Sequence, residues 1–342
     1  MWLALGLNSL IAILFLAIFL AWPSVFLNLD LGSSPRLFAL MIAFGVALTG
    51  TYGALTMWAV RTRSYGAISK TKITRSVGTA LLNLLGAFTF PVPAVLIGGN
   101  MLGSSLGSWS LWNASIRGKG LRRAELRDVW RVAREYWSYA MTNSPAAVLT
   151  SVATHVPAPA LTFFFGFGVA GQFGLAMSIL GVPMHLVGNS VQSVFFGEAS
   201  AIGRNEPVRL KVLLDRLTKR IAIILIGPVI VLSAFSPELF VFVFGSQWLF
   251  AGQIARFLVL YMAMNILSVP FVSIFLIFNR MRLYLALTAV KLVLAATSLV
   301  VPAVMGGSEM LVVGIYSATL ATYYAIFGVC ARRIVSRAAG AL

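Results

Sequence analysis

Ten apolar runs, most of them about 20 residues or longer, follow one another along this chain, and no other feature restricts its fold as strongly. They cover residues 2–29, 35–60, 76–90, 91–112, 138–165, 168–196, 221–244, 250–278, 283–304 and 311–330. A helix satisfies every backbone N–H and C=O within itself, so apolar runs of this length read as membrane spans. The 342 residues are 59% hydrophobic and only 10% charged, far from the make-up of a water-soluble globule. The predicted class is an all-α integral membrane protein of about ten transmembrane helices. The first run lacks a basic leader and is too long for a signal-peptide core, so it is expected to be a retained helix.

The basic residues sharpen this reading. Lys and Arg number 26 against 9 Asp and Glu, a net charge of +17, and 23 of the 26 fall after even-numbered runs. Those connections hold Arg61 to Arg75, Arg117 to Arg134, Arg204 to Arg220, Arg280 with Arg282, and Arg332 to Arg337. Positive charge stays on the cytoplasmic side, so both termini are expected there. The same distribution argues for membrane lipid and against nucleic acid as the partner of all this charge. A single Cys and two His residues leave no disulfide framework, zinc motif or other metal site, and no cofactor is expected.

Two inner connections carry amphipathic patterns. Leu126, Val129, Trp130, Ala133 and Trp137 recur at helical steps among arginines, and Leu210, Leu213, Leu214 and Leu217 follow Pro207. Each fits a helix lying on the inner leaflet, and a solvated basic loop fits as well. The expected organisation is a four-helix N-terminal lobe (1–113), a cytoplasmic amphipathic linker (114–138) and a six-helix C-terminal lobe (139–342).

An internal repeat supports two lobes. Arg61-Thr-Arg63-Ser-Tyr65-Gly-Ala67-Ile68-Ser69 and Arg280-Met-Arg282-Leu-Tyr284-Leu-Ala286-Leu287-Thr288 share the pattern R-x-R-x-Y-x-A-[IL]-[ST]. Each is followed by two apolar runs and a basic tail. Four runs of the second lobe precede the motif and two of the first, which predicts six-helix lobes with the first shortened by two helices.

Further motifs carry a family resemblance: Trp58-x-x-Arg61-x-x-x-Tyr65-x-x-Ile68-Ser69, then Gly171-Gln-Phe-Gly-Leu-Ala ahead of Pro183, then Phe195-Phe196-Gly-Glu198-Ala-Ser200, then Phe244-Gly245-Ser-Gln-Trp248-x-x-Ala251-Gly252. In this order they resemble the polysaccharide flippases, or O-antigen translocases. These belong to the superfamily that includes multidrug and toxic-compound extruders and lipid II flippases. The resemblance spans nearly the whole chain and implies a match to the family's third to twelfth helices. It implies translocation of a polyprenyl-pyrophosphate-linked oligosaccharide across the cytoplasmic (inner) membrane, by alternating access, for the biosynthesis of surface polysaccharides such as the O-antigen of lipopolysaccharide. Other membrane proteins of polysaccharide assembly would be partners.

Candidate binding residues follow from the cost of intramembrane charge. Arg256 and Lys291 are the basic residues inside apolar runs, without an intramembrane carboxylate to pair them. The resemblance makes a lipid-linked pyrophosphate their anion, and snorkelling to headgroups is the alternative. Arg61 and Arg280 would recruit the anionic headgroup at the inner mouth. His185, Asn189 and Gln192 share one helical face that could touch sugar or neighbouring helices, and Asn265 and Asn83 divide the same way. Relatives often carry a basic residue shortly before Pro183, where this chain has Met177-Ser178. Gly166-Phe-Gly168-Val-Ala-Gly171 fits G-x-G-x-x-G but follows no strand, so it reads as a hairpin between helices. Gly99, Gly103 and Gly107 form a small-residue packing ridge.

No nucleophile or paired carboxylates stand out, so an enzyme of polysaccharide assembly ranks below a transporter. A cation-coupled antiporter of the same superfamily is the other alternative; it would call for an intramembrane carboxylate.

Overall fold

A computed structural model describes residues 2–21, 35–61, 65–89, 98–99, 101–102, 111–112, 126–135 and 137–340. Among these residues there is no strand. The chain divides into two compact units, Met1–Trp137 and Ser138–Leu342. Among the described residues six segments are long and apolar enough to cross a membrane, and a shorter apolar helix, Leu5–Ala17, precedes them in the chain.

The N-terminal unit contains α1 (Trp2–Ala21), α2 (Pro35–Arg61), α3 (Tyr65–Thr89) and α4 (Leu126–Glu135). In a bilayer, helices associate by close packing and buried polar contacts rather than by the hydrophobic effect. Asn8 of α1 shows this: its Nδ2 donates to the Ala47 carbonyl at 2.7 Å. Gly50 makes room for it, since a Cβ there would lie 1.9 Å from Asn8 Oδ1. Asn83 of α3 lies against Gly99 in the same manner, with its buried Oδ1 where a Cβ would sit. That contact favours the packing reading of both residues. Gly103, Gly107 and most of run 91–112 lie outside the described residues. Helix α4 forms where the first amphipathic pattern predicts it, with Trp130 and Arg134 exposed.

The C-terminal unit contains α5 (Trp137–His155), α6 (Pro157–Ile202), α7 (Pro207–Phe244), α8 (Leu249–Ile277), α9 (Met281–Val304) and α10 (Glu309–Gly340). Backbone bonding continues across the α5–α6 junction, because Val156 donates to Val152 and Ala160 to Val156. The real interruption is Gly166, with φ 84° and ψ 174°, close to the expected break between runs 138–165 and 168–196. A positive φ of this kind suits glycine because it carries no Cβ. Helix α8 is central: 56% of its apolar window is buried, against 17% for α7, whose Ile223, Ile224, Ile230 and Phe242 stay exposed as a lipid-facing surface would.

The second amphipathic pattern requires a correction. Residues 207–220 do not form a separate interfacial helix; they open α7, which runs unbroken to Phe244. No breaker separates Arg220 from Ile221. Leu210 and Leu214 bury completely in a cluster with Phe195, Phe271, Phe275 and Phe327, so the stripe covers protein rather than lipid.

Candidate functional site

Lys291 projects from the middle of α9 into the C-terminal unit and is only 6% exposed. Its Nζ lies 5.4 Å from the ring centroid of Tyr324 on α10. The Tyr324 ring also stacks on Tyr261 of α8 at 6.1 Å. Tyr261 meets Tyr316 edge-on at 5.8 Å, and Tyr316 meets Phe173 of α6 at 6.3 Å. An aromatic ladder thus leads from the ammonium across four helices. Asn265 lies one turn after Tyr261, with its side chain beside the Tyr261 hydroxyl. The buried Tyr316 hydroxyl faces Tyr261 without a hydrogen bond of standard geometry.

This surrounding holds a cation incompletely. A desolvated cation–π contact contributes about 2 kcal/mol, whereas taking an ammonium out of water costs several. Among the described residues no carboxylate pairs with Lys291, and the described carboxylates of the C-terminal unit, Glu198, Glu206, Asp215, Glu238 and Glu309, are all at least partly exposed. Chemically, the position favours an incoming anion or water. No group of His, Cys, Asp and Glu among the described residues could hold a metal.

Arg256 is placed differently. It is exposed, and its Nη2 donates to the Ala234 carbonyl of α7 at 2.8 Å. Ala234 lies three residues before Pro237, whose missing N–H leaves the Ser233 carbonyl, four residues back, without its helical donor. Arg256 therefore ties α8 to the neighbouring helix α7 close to a proline. Arg280 is the N-cap residue of α9 and lines a cleft with Arg282, Arg333 and Arg337. Gln192 is exposed on α6, and Asn265 is half-buried. His185 and Asn189 lie in α6 and Arg61 ends α2, but their side chains lie outside the described residues.

The motifs themselves turn out to be joints. Gln172 Nε2 donates to the Gln247 carbonyl at 2.8 Å, and its Oε1 accepts from the Ala251 N–H at 3.0 Å. The glutamine of Gly171-Gln-Phe-Gly-Leu-Ala thus caps the start of α8, inside Phe244-Gly245-Ser-Gln-Trp248-x-x-Ala251-Gly252, and satisfies an otherwise orphan N–H. Gln172→Leu is expected to lower stability by about 1–2 kcal/mol, two modest hydrogen bonds, in thermal unfolding in detergent. An unchanged midpoint would reject the capping role. In the repeat, Tyr284 packs on Phe275 and Phe327, and its carbonyl accepts from Thr288 Oγ1 at 2.9 Å. Ile68 of the first copy is likewise buried, with Tyr52, Leu55, Ala59 and Leu111.

Sequence reasoning missed Tyr261, Tyr316 and Tyr324. Their signal was present: tyrosines within apolar runs, at positions 316 and 324 two turns apart on one face.

Comparison with solved structures shows the same fold in flippases and exporters. A lipid II flippase MurJ in an inward closed conformation superposes with a TM-score of 0.72 at 15% identity, covering 96% of this chain and 72% of that one. An inward-facing multidrug resistance MATE family transporter of the MOP superfamily gives 0.75 at 13% identity, covering 98% and 80%. A MATE protein in complex with MaL6 gives 0.68 at 16%, covering 99% and 78%. A search of curated proteins finds no match. The chain is a multi-pass membrane protein by its apolar helices and its fold. A family model described as "Polysaccharide biosynthesis protein" matches residues 1–253, so the chain belongs to the polysaccharide biosynthesis protein family.

Proposed function

We propose that this protein flips a polyprenyl-pyrophosphate-linked oligosaccharide from the cytoplasmic to the outer leaflet of the inner membrane, by alternating access and without chemical change. The observation that carries the reading is the combination of a polysaccharide biosynthesis family with a fold shared with the lipid II flippase MurJ. The cargo is amphipathic and anionic. Its pyrophosphate would draw on Lys291, whose ammonium lacks a described carboxylate, while its lipid tail remains in hydrocarbon. Arg61 and the face of His185, Asn189, Gln192 and Asn265 would supply the remaining polar contacts, to headgroup and sugar.

The antiporter alternative draws less support, since it would use a buried carboxylate to exchange protons or sodium for a cation, and the described carboxylates of the C-terminal unit are all at least partly exposed. Deleting the gene in its host is expected to strip the surface of its polymer and leave lipid-linked oligosaccharide on the cytoplasmic leaflet. A deletion strain with normal surface polysaccharide and normal leaflet distribution would reject the reading.

A further inference from the structure

The turn between α8 and α9 and the last turns of α10 enclose a cleft of about 1080 Å³, the end of the unit that the charge distribution assigns to the cytoplasm. Four guanidiniums line it: Arg280 and Arg282 from the start of α9, Arg333 and Arg337 from α10. No Asp or Glu lines it, and none of the four has an ion pair among the described residues. The adjacent Arg332 lies on another face of α10, where it pairs with Asp215 at 3.6 Å and stands over the Phe271 ring. The cleft therefore concentrates uncompensated charge while a neighbouring arginine has its own partner.

The platform under these arginines is rigid. Asn279 takes a positive φ of 53°, and the Arg280 N–H reaches back to the Phe275 carbonyl at 2.7 Å, which closes the end of α8. Tyr284, one helical turn after Arg280, is locked between Phe275 and Phe327. The R-x-R-x-Y motif is thus a tyrosine anchor that holds two arginines at the rim. On α10, positions 326, 330, 333 and 337 share one face that passes from apolar to cationic. Ile326 and Val329 above the cleft, and Leu283 at its edge, are exposed.

We propose that this cleft is a binding site for an anionic phospholipid of the cytoplasmic leaflet that carries two phosphodiesters. A lipid matches both halves of the α10 face, with acyl chains along Ile326 and Val329 and phosphates at the arginines. Basic pockets between membrane helices recognise such headgroups through these contacts. Two phosphodiesters match two arginine pairs on two helices, each pair forking onto one phosphate. Each phosphodiester carries one negative charge, so a single one would balance only one of the four guanidiniums and leave one arginine pair without a phosphate. The whole cleft belongs to the C-terminal unit, so the proposal does not rest on the transport reading and describes a resident lipid rather than cargo.

The full-length protein, delipidated in detergent, is titrated with diphosphatidylglycerol, phosphatidylglycerol, phosphatidylcholine, a polyprenyl pyrophosphate or inorganic pyrophosphate. Retained lipid is read by native mass spectrometry and stabilisation by thermal unfolding. The expected result is retention of one diphosphatidylglycerol with a raised melting temperature, and at least about tenfold weaker retention of phosphatidylglycerol. Arg333→Gln with Arg337→Gln loses that preference, while Lys211→Gln with Lys219→Gln, the same loss of two charges at exposed positions outside the cleft, keeps it. Arg333→Lys with Arg337→Lys keeps the charge and guards against misfolding of the neutral pair; it is expected to bind with reduced preference, because lysine lacks the fork. Equal retention of both phospholipids, equal loss in the Lys211→Gln, Lys219→Gln double variant, or tighter retention of either pyrophosphate would overturn the proposal.

Discussion

Lys291→Met is expected to move stability and transport in opposite directions. Methionine fills a similar volume without a charge, and replacing a poorly compensated buried ion by an apolar side chain is often neutral or stabilising by about 1–4 kcal/mol. The melting temperature in detergent should therefore hold or rise, since among the described residues the Tyr324 cation–π contact is the one lost. Export should fall. A charge-assisted contact to phosphate contributes about 1.5–3 kcal/mol, which corresponds to a loss of roughly 10- to 100-fold. The measurement pairs thermal unfolding with surface polysaccharide in a complemented deletion strain at matched protein level. Normal export would remove Lys291 from the substrate path, and a lowered melting temperature would make it a structural residue held by the aromatic ladder.

A second large effect is expected at Gly252. A Cβ built there lies 2.5 Å from Pro237 Cα, 2.8 Å from the Ser236 carbonyl oxygen and 3.0 Å from Pro237 N. These neighbours are backbone, so no rotamer change relieves the clash, and α7 would have to move off α8. The same approach lets Ser236 Oγ donate to the Gly252 carbonyl at 2.8 Å. Overpacking a core commonly costs about 1–3 kcal/mol even where side chains can yield. Gly252→Leu is accordingly expected to abolish accumulation of folded protein in the membrane, and Gly252→Ala to lower the melting temperature clearly. Gly314→Ala is the control, because the nearest atom there is in the Phe257 side chain at 3.6 Å. Wild-type stability in both Gly252 variants would show that the α7–α8 contact is looser than drawn.

How much of this was legible beforehand differs by feature. The helices announced themselves, because hydrocarbon tolerates few alternatives to an internally bonded backbone. Gly166 was legible as an interruption, since it lies within a cluster of three glycines. The 207–220 stripe was misread because an amphipathic face looks the same whether it covers lipid or protein. Here Phe195, Phe271 and Phe327, far away in sequence, supply the surface it covers.

The candidate site was legible as a list and not as an arrangement. Lys291 and Arg256 have the same description in sequence, a cation within an apolar run. Their surroundings diverge: Lys291 is buried over Tyr324, while Arg256 lies exposed and bound to the Ala234 carbonyl. Gln172 was quoted within a motif, yet its hydrogen bonds join it to residues 75 and 79 positions away.

From the amino-acid order alone came the class of protein, the rhythm of its apolar helices and the connections at which positive charge collects. These are set by transfer of each segment into the bilayer, a local quantity. Which cation is buried, which glycine admits a neighbouring backbone, and which arginines share a cleft were decided only when the helices packed. Those properties belong to pairs of distant residues, and no single segment carries the energy of a pair.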